Sequence, residues 1–215
     1  MIFRIDLKIF AFLILFYFTR QIEIYGIIMI FAIIHEFSHL LAGLLLEMKV
    51  KRVTLMPVGL SIEFALTQKD YNKRILKSNM LEVKRIIVAM AGPLVNILII
   101  IIVKLLKINS QLGTTIIYSN FLIAIFNLLP IYPLDGGRIL KSILSLLVNK
   151  RNANIYMNRI SNIVLFLITF LFSILIYYLK NIALLFVLIY LWYIVLKENK
   201  IYKMKLRLYD ILKYL

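Results

Sequence analysis

Apolar residues in this chain come in long, nearly unbroken runs separated by basic stretches. A helix that is apolar all round belongs in hydrocarbon, and about 20 such residues cross a bilayer. Runs at residues 22–46, 86–106, 114–129, 155–179 and 182–196 therefore predict five spanning helices. A shorter run at 5–18 carries Asp6 and Lys8 and predicts a sixth, tilted or partly interfacial. It lacks an A-x-A-like site and is not read as a cleaved signal. Residues 47–85 are polar and basic except for VTLMPVGLSIEFAL, whose alternation and turn at Pro57 to Gly59 predict a β-hairpin. The expected fold class is an α-helical polytopic membrane protein: six transmembrane helices with a small membrane-associated β-hairpin, in a single domain over 1–215. A basic tail at 197–215 is expected as a membrane-surface helix, or as a solvated, partly disordered end.

Composition agrees with that frame: 63% hydrophobic residues and a mean hydropathy of +0.94 cannot be hidden in one soluble core of this length. The net charge of +16 raises the question of nucleic acid, but the basic residues lie between apolar runs and form no stripe with aromatic platforms. No nucleic-acid partner is expected, only the lipid bilayer. With the N-terminus inside, 22 of the 26 Lys and Arg fall in inner segments, so both termini are expected in the cytoplasm. Cysteine is absent. Any metal must therefore be held by His, Asp or Glu.

The chain's two histidines, His35 and His39, stand four apart in HEFSH, inside the run 22–46. Positions i and i+4 of a helix share a face, so both imidazoles can reach one ion, with Glu36 beside them as a general base. A carboxylate at that depth costs at least about 2.5 to 3.5 kcal/mol and persists where it works or is paired. Two histidines leave zinc short of a protein ligand if a water is also to bind. Of the ten acids, Asp6, Glu23, Glu47, Asp70, Glu82, Glu198 and Asp210 fall in flanks and loops and Glu63 in the hairpin. Asp135 remains, in NLLPIYPLDGGR, where two prolines forbid regular helix. It can serve as the third ligand, as an N-cap for the following helix, or as both. AGPLVN, in the third span, is either a packing kink or a functional element. Asn96 and Asn127 need partners in hydrocarbon, and either could donate to a peptide carbonyl as it becomes tetrahedral.

HEFSH, AGPLVN and NLLPIYPLDGG, in this order, resemble the site-2 protease family of intramembrane zinc metalloproteases, over about residues 22–148. The missing PDZ insertion is similar to the stage IV sporulation branch of that family. The resemblance implies one zinc per chain held by His35, His39 and Asp135, with Glu36 as catalytic base. It also implies a membrane-tethered protein substrate cut in or near its transmembrane segment, such as a sigma-factor precursor in sporulation, and a possible membrane-protein regulator. The site is expected to open toward the cytoplasm. Many members of that branch carry a CBS domain after the last span, which the short tail cannot contain, so the resemblance alone does not imply ATP regulation here. Leu60, Ser61 and Ile62 of the hairpin are expected to add unwound substrate as an extra strand, or else the hairpin only plugs the helices. Two other readings stay open: a catalytically inactive scaffold of the same fold and a transporter.

Overall fold

The computed structural model describes residues 2–5, 22–56, 59–65, 75–108, 110–180 and 182–213, and among these run three strands and six helices. The chain divides into two compact units, Met1–Asn127 and Leu128–Leu215.

The first unit holds strands β1 (Ile2–Ile5), β2 (Lys49–Met56) and β3 (Gly59–Ala65), with helices α1 (Ile22–Leu45), α2 (Ile75–Leu105) and α3 (Gln111–Asn127). The sheet order is β1-β2-β3. β2 and β3 are antiparallel, with Leu55 opposite Leu60, Thr54 opposite Ser61 and Val53 opposite Ile62. β1 joins β2 in parallel, with Ile2 opposite Arg52. Ile5, assigned by its apolar run to a first helix, is thus the end of a strand, because only the fold supplies the partner at residues 52–55. The rest of that expected helix, residues 6–18, lies outside the described residues, as does Pro57 of the expected turn.

α1 is 24 residues long, about 36 Å at 1.5 Å per residue, enough for a hydrocarbon layer of about 30 Å. It ends in a double hydrogen bond: Met48 N donates to Gly43 O and Glu47 N to Leu44 O, both at 2.9 Å, with Glu47 left-handed at φ 57. This Schellman closure satisfies carbonyls that apolar surroundings could not. Lys84 Nζ of α2 donates to Leu46 O at 2.7 Å, a cation at the negative end of α1. α2 begins at Ile75, well before the apolar run at 86, because that run marks the hydrocarbon and helical bonding continues beyond it. Glu82, read from sequence as a flank residue, therefore sits on α2. It is buried and accepts from Arg85 at 2.8 Å.

The polarity of this unit is inverted. Ile30, Phe37, Leu41 and Leu44 of α1 are exposed, whereas His35, His39, Asn96, Ser119 and Asn120 are buried. A water-soluble bundle would place these sets the other way round. Three helices among the described residues are long and apolar enough to cross a membrane, at Ile22–Leu45, Asn79–Leu105 and Lys150–Tyr178.

The second unit comprises α4 (Asp135–Leu147), α5 (Lys150–Leu179) and α6 (Ile182–Lys213). Asn149 caps α5, its side chain accepting from Asn152 N at 2.8 Å. α5 and α6 pack together, and α4 packs on α5. α6 continues in one piece from the apolar run into the basic tail, to Lys213, so the tail is helical that far, as expected, and joined to the apolar helix before it. Across α5 and α6, Trp192 Nε1 donates to Thr169 Oγ1 at 3.1 Å and the indole stands edge-on to Phe166. Asn199 Nδ2 donates to Asn162 Oδ1 at 3.0 Å.

Thr169→Val keeps shape and removes the acceptor for Trp192. Since interhelical hydrogen bonds in membranes contribute about 0.6 to 1.7 kcal/mol, unfolding of the purified protein in mixed detergent should show a loss in that range. An unchanged transition would mean that the contact is packing alone.

Candidate metal centre

The local geometry starts from a missing side chain. A Cβ built on Gly92 of α2 would stand 2.5 Å from His35 Cε1, 2.5 Å from His39 Nε2 and 2.6 Å from His35 Nε2. Real Cβ atoms do not approach that closely, so only glycine lets α2 come down onto the two imidazoles. AGPLVN is therefore a packing element, and what it packs against is the histidine pair. Ala32 and Ala89, both buried, keep the neighbouring turns of the two helices thin as well.

Both histidines are buried, each 2% exposed. His39 Nδ1 lies 2.7 Å from Val88 O, and a carbonyl only accepts, so Nδ1 carries the proton. Pro93 removes the amide that would bond the Ala89 carbonyl and crowds that turn of α2. The adjoining carbonyl, Val88, is the one that takes His39. His35 Nδ1 lies 2.8 Å from Asn96 Oδ1. Asn96 Nδ2 donates to Asn120 Oδ1 at 3.1 Å, and Asn120 Nδ2 donates to Ile116 O at 2.9 Å. Ser38 Oγ adds a bond to His35 O at 2.5 Å.

With both Nδ1 atoms donating, both Nε2 atoms present lone pairs, and these stand 3.2 Å apart. Converging lone pairs call for a cation between them. Two imidazole nitrogens at about 2.0 to 2.1 Å from a tetrahedral zinc would be about 3.3 to 3.4 Å apart, so the observed spacing fits one ion. The donor set fits as well: neutral imidazoles whose other nitrogen is held by an oxygen acceptor are the usual zinc ligands.

In the second unit, Asp135 is 4% exposed and is the first residue of α4. The N-cap position belongs to Leu134, and no side-chain cap bond forms there, so the N-cap role open to Asp135 in the sequence falls to its neighbour. Its carboxylate lies at the positive end of the helix dipole, with Arg138 Nη1 at 3.7 Å from Oδ1. The glycines after it admit the preceding loop: a Cβ on Gly136 would stand 2.0 Å from Leu128 O and one on Gly137 2.4 Å from Ile131 C. That loop is tied to α5 by Tyr132 N donating to Ser161 Oγ at 3.1 Å. Of the three ligands expected from sequence, His35 and His39 come together within the first unit, and Asp135 opens α4 in the second.

The other expected site residues fall as follows. Glu36 is half-buried beside His35. Asn96 has its oxygen on His35 and one N–H on Asn120, so its carboxamide is directed at the histidine. Asn127 Nδ2 donates to Ile123 O of its own helix at 3.0 Å. Leu60, Ser61 and Ile62 lie in β3, an edge strand among the described residues. Sequence reasoning did not single out Asn120. Its signal was the same as that of Asn96, an amide within an apolar run.

The model of Peptidase family M50 matches residues 24–113 and 106–172. Over 121 residues the chain is 30% identical to a zinc metalloprotease of Methanocaldococcus jannaschii, covering 53% of this chain and 32% of that protein. Over 117 residues it is 30% identical to stage IV sporulation protein FB of Bacillus subtilis, covering 53% of this chain and 37% of that one. The matches thus span about a third of the length of these relatives. Among solved structures, the site-2 protease from Methanocaldococcus jannaschii superimposes with a TM-score of 0.67 at 19% identity, over 90% of this chain and 88% of that one, a likeness of fold.

Gly92→Ala should place a methyl group where the two imidazoles now lie. Zinc affinity, measured by chelator competition, should fall at least about tenfold, the scale of a disturbed ligand shell. Gly26→Ala, at a helical position with nothing within 4 Å of the added carbon, should leave zinc affinity unchanged and stabilise α1 by up to about 1 kcal/mol. Equal zinc affinity in the two variants would refute the steric role of Gly92.

Proposed function

Given that this chain belongs to peptidase family M50, we propose that it is an intramembrane zinc metalloprotease that cuts a membrane-tethered protein within or near its transmembrane segment. The observation that carries this reading is the pair of Nε2 lone pairs converging at 3.2 Å in a bundle with exposed apolar faces. His35, His39 and Asp135 are the protein ligands, and Glu36 is the base. Zinc, when bound, supplies Lewis acidity that polarises a carbonyl and lowers the pKa of water.

The chain's own groups do the rest. Glu36 takes a proton onto its carboxylate from the attacking water and returns it to the departing amine. Asn127 has a second N–H beyond the one bonded to Ile123 O, and that N–H suits an oxygen gaining charge. Asn96, directed toward His35 and Asn120, serves the histidine. A substrate helix has every amide bonded, so it must unwind before attack. The edge of β3 at Leu60, Ser61 and Ile62 offers main-chain partners to the unwound strand.

The six-span topology, with the hairpin at the membrane and both termini in the cytoplasm, belongs to this proposal; its support is the distribution of Lys and Arg. A sporulation role, with a sigma-factor precursor as substrate, draws support from the sporulation protein among the relatives. A membrane-protein regulator would be expected for such a protease.

Glu36→Gln should retain zinc and lose cleavage of a co-expressed membrane-tethered reporter by at least about a hundredfold, the scale of a lost general base. Asp135→Asn should lose zinc as well as activity, a neutral amide being the poorer ligand. Undiminished cleavage by Glu36→Gln would sink the protease assignment and leave the scaffold and transporter readings.

Cysteines introduced one at a time at Lys150 and Lys107 test the orientation, since the chain has none of its own. An impermeant reagent should label the second from outside intact cells and not the first; the reverse pattern would overturn the topology.

A further inference from the structure

Three buried polar residues of the first unit, His35, Asn96 and Asn120, belong to one chain of hydrogen bonds, and its direction can be deduced. Its far end is Ile116 O, a main-chain carbonyl that can only accept. Asn120 must therefore turn Nδ2 toward it, at 2.9 Å, and the opposite rotamer would set two oxygens against each other. Asn120 Oδ1 is then left facing Asn96, which must answer with Nδ2, at 3.1 Å. Asn96 Oδ1 is consequently the group that meets His35 Nδ1, at 2.8 Å. An oxygen there admits only a protonated nitrogen. Asn96 and Asn120 are each 0% exposed, so water cannot substitute for either partner.

We propose that Asn96 and Asn120 are positioning residues: a two-amide relay, anchored on the α3 backbone, that fixes His35 in the Nδ1–H tautomer and aims its Nε2 lone pair at the metal. The inference rests on the reading of His35 as a zinc ligand and extends it to a residue of α3 that is bonded to Asn96 and to its own helix. Direct contact with α1 and α2 would not require an amide at 120. The relay does, because without Asn120 the Asn96 carboxamide loses the partner that tells its oxygen from its nitrogen. With that distinction lost, Asn96 could present N–H to His35, which would select the other tautomer and turn a proton toward the metal position. His39 has no such dependence, since its Nδ1 donates straight to Val88 O.

The test uses the full chain in detergent micelles, purified through a histidine-free tag and labelled with ¹⁵N-histidine. With two histidines in the sequence, the spectrum holds only four ring nitrogens, assigned with His35→Asn and His39→Asn. In the metal-free wild type at pH 8, both Nδ1 atoms should carry a proton. In Asn96→Leu, the His35 nitrogens should move to a mixture of tautomers while those of His39 stay. Zinc affinity by chelator competition should fall about 10- to 100-fold in Asn96→Leu, and less in Asn120→Leu. The double variant should be no weaker than Asn96→Leu, because Asn120 acts through Asn96.

A bare His35 Nδ1 in the wild type would overturn the relay, and that measurement needs no variant to fold. Unchanged zinc affinity in Asn96→Leu would overturn it as well, and so would penalties that add in full. The protease reading fails separately: a wild type that binds no zinc and cuts no reporter would refute that reading, while the tautomer spectrum would still decide the relay.

Discussion

Two imidazole lone pairs held 3.2 Å apart inside an apolar bundle are the constraint from which the rest of the first unit follows. Left to themselves, neutral imidazoles would turn so that an N–H of one met the lone pair of the other. Here both Nδ1 protons are already committed, to Val88 O and to Asn96. The rings can satisfy those acceptors only by pointing Nε2 at Nε2. The protein thus builds an electrostatic demand for a cation, and bulk water cannot relieve it, since both rings are 2% exposed. Preorganisation of this kind means that a metal meets ligands already in their binding tautomer.

Backbone concessions follow from that demand. Gly92 exists because the rings occupy the space its side chain would fill. Pro93 stands inside α2 one residue later, beside the carbonyl turn that His39 uses. Gly136 and Gly137 do for the loop before α4 what Gly92 does for α2, letting main chain pass where any Cβ would collide. In each place the residue that weakens a helix is the one that lets a neighbouring ring or main-chain segment come close.

The legible part of the sequence was whatever a single segment determines by itself. HEFSH declares a shared helix face, and LDGG after two prolines declares a carboxylate at the start of a helix. Of the alternation in residues 53–66, the described parts, 53–56 and 59–65, lie in β2 and β3. What the sequence could not display were pairings between distant segments. Nothing near Ile2 announces a parallel partner at Arg52. Asn120 looked like any amide in an apolar run, because its meaning depends on residue 96 and on a carbonyl of its own helix. The apolar run likewise marked hydrocarbon and not helix, which is why α2 begins before it and carries Glu82, an acid that the run alone assigned to a flank. Asp135 was open to an N-cap role from sequence, and the backbone put Leu134 at the cap.

The supports of the two histidines differ in kind, and the difference has a consequence. His39 leans on a main-chain carbonyl that is present whatever residue stands at 88, so substitution there cannot abolish the acceptor. His35 leans on side chains at 96 and 120, either of which one substitution can remove. A main-chain acceptor offers one fixed polarity; an amide can reverse its own, and needs a second amide to hold it. The relay to Ile116 O is what converts an ambiguous carboxamide into a committed acceptor. In a lipid-facing bundle, where no water can correct a wrong orientation, His35 keeps its aim only while α3 stays registered against α2.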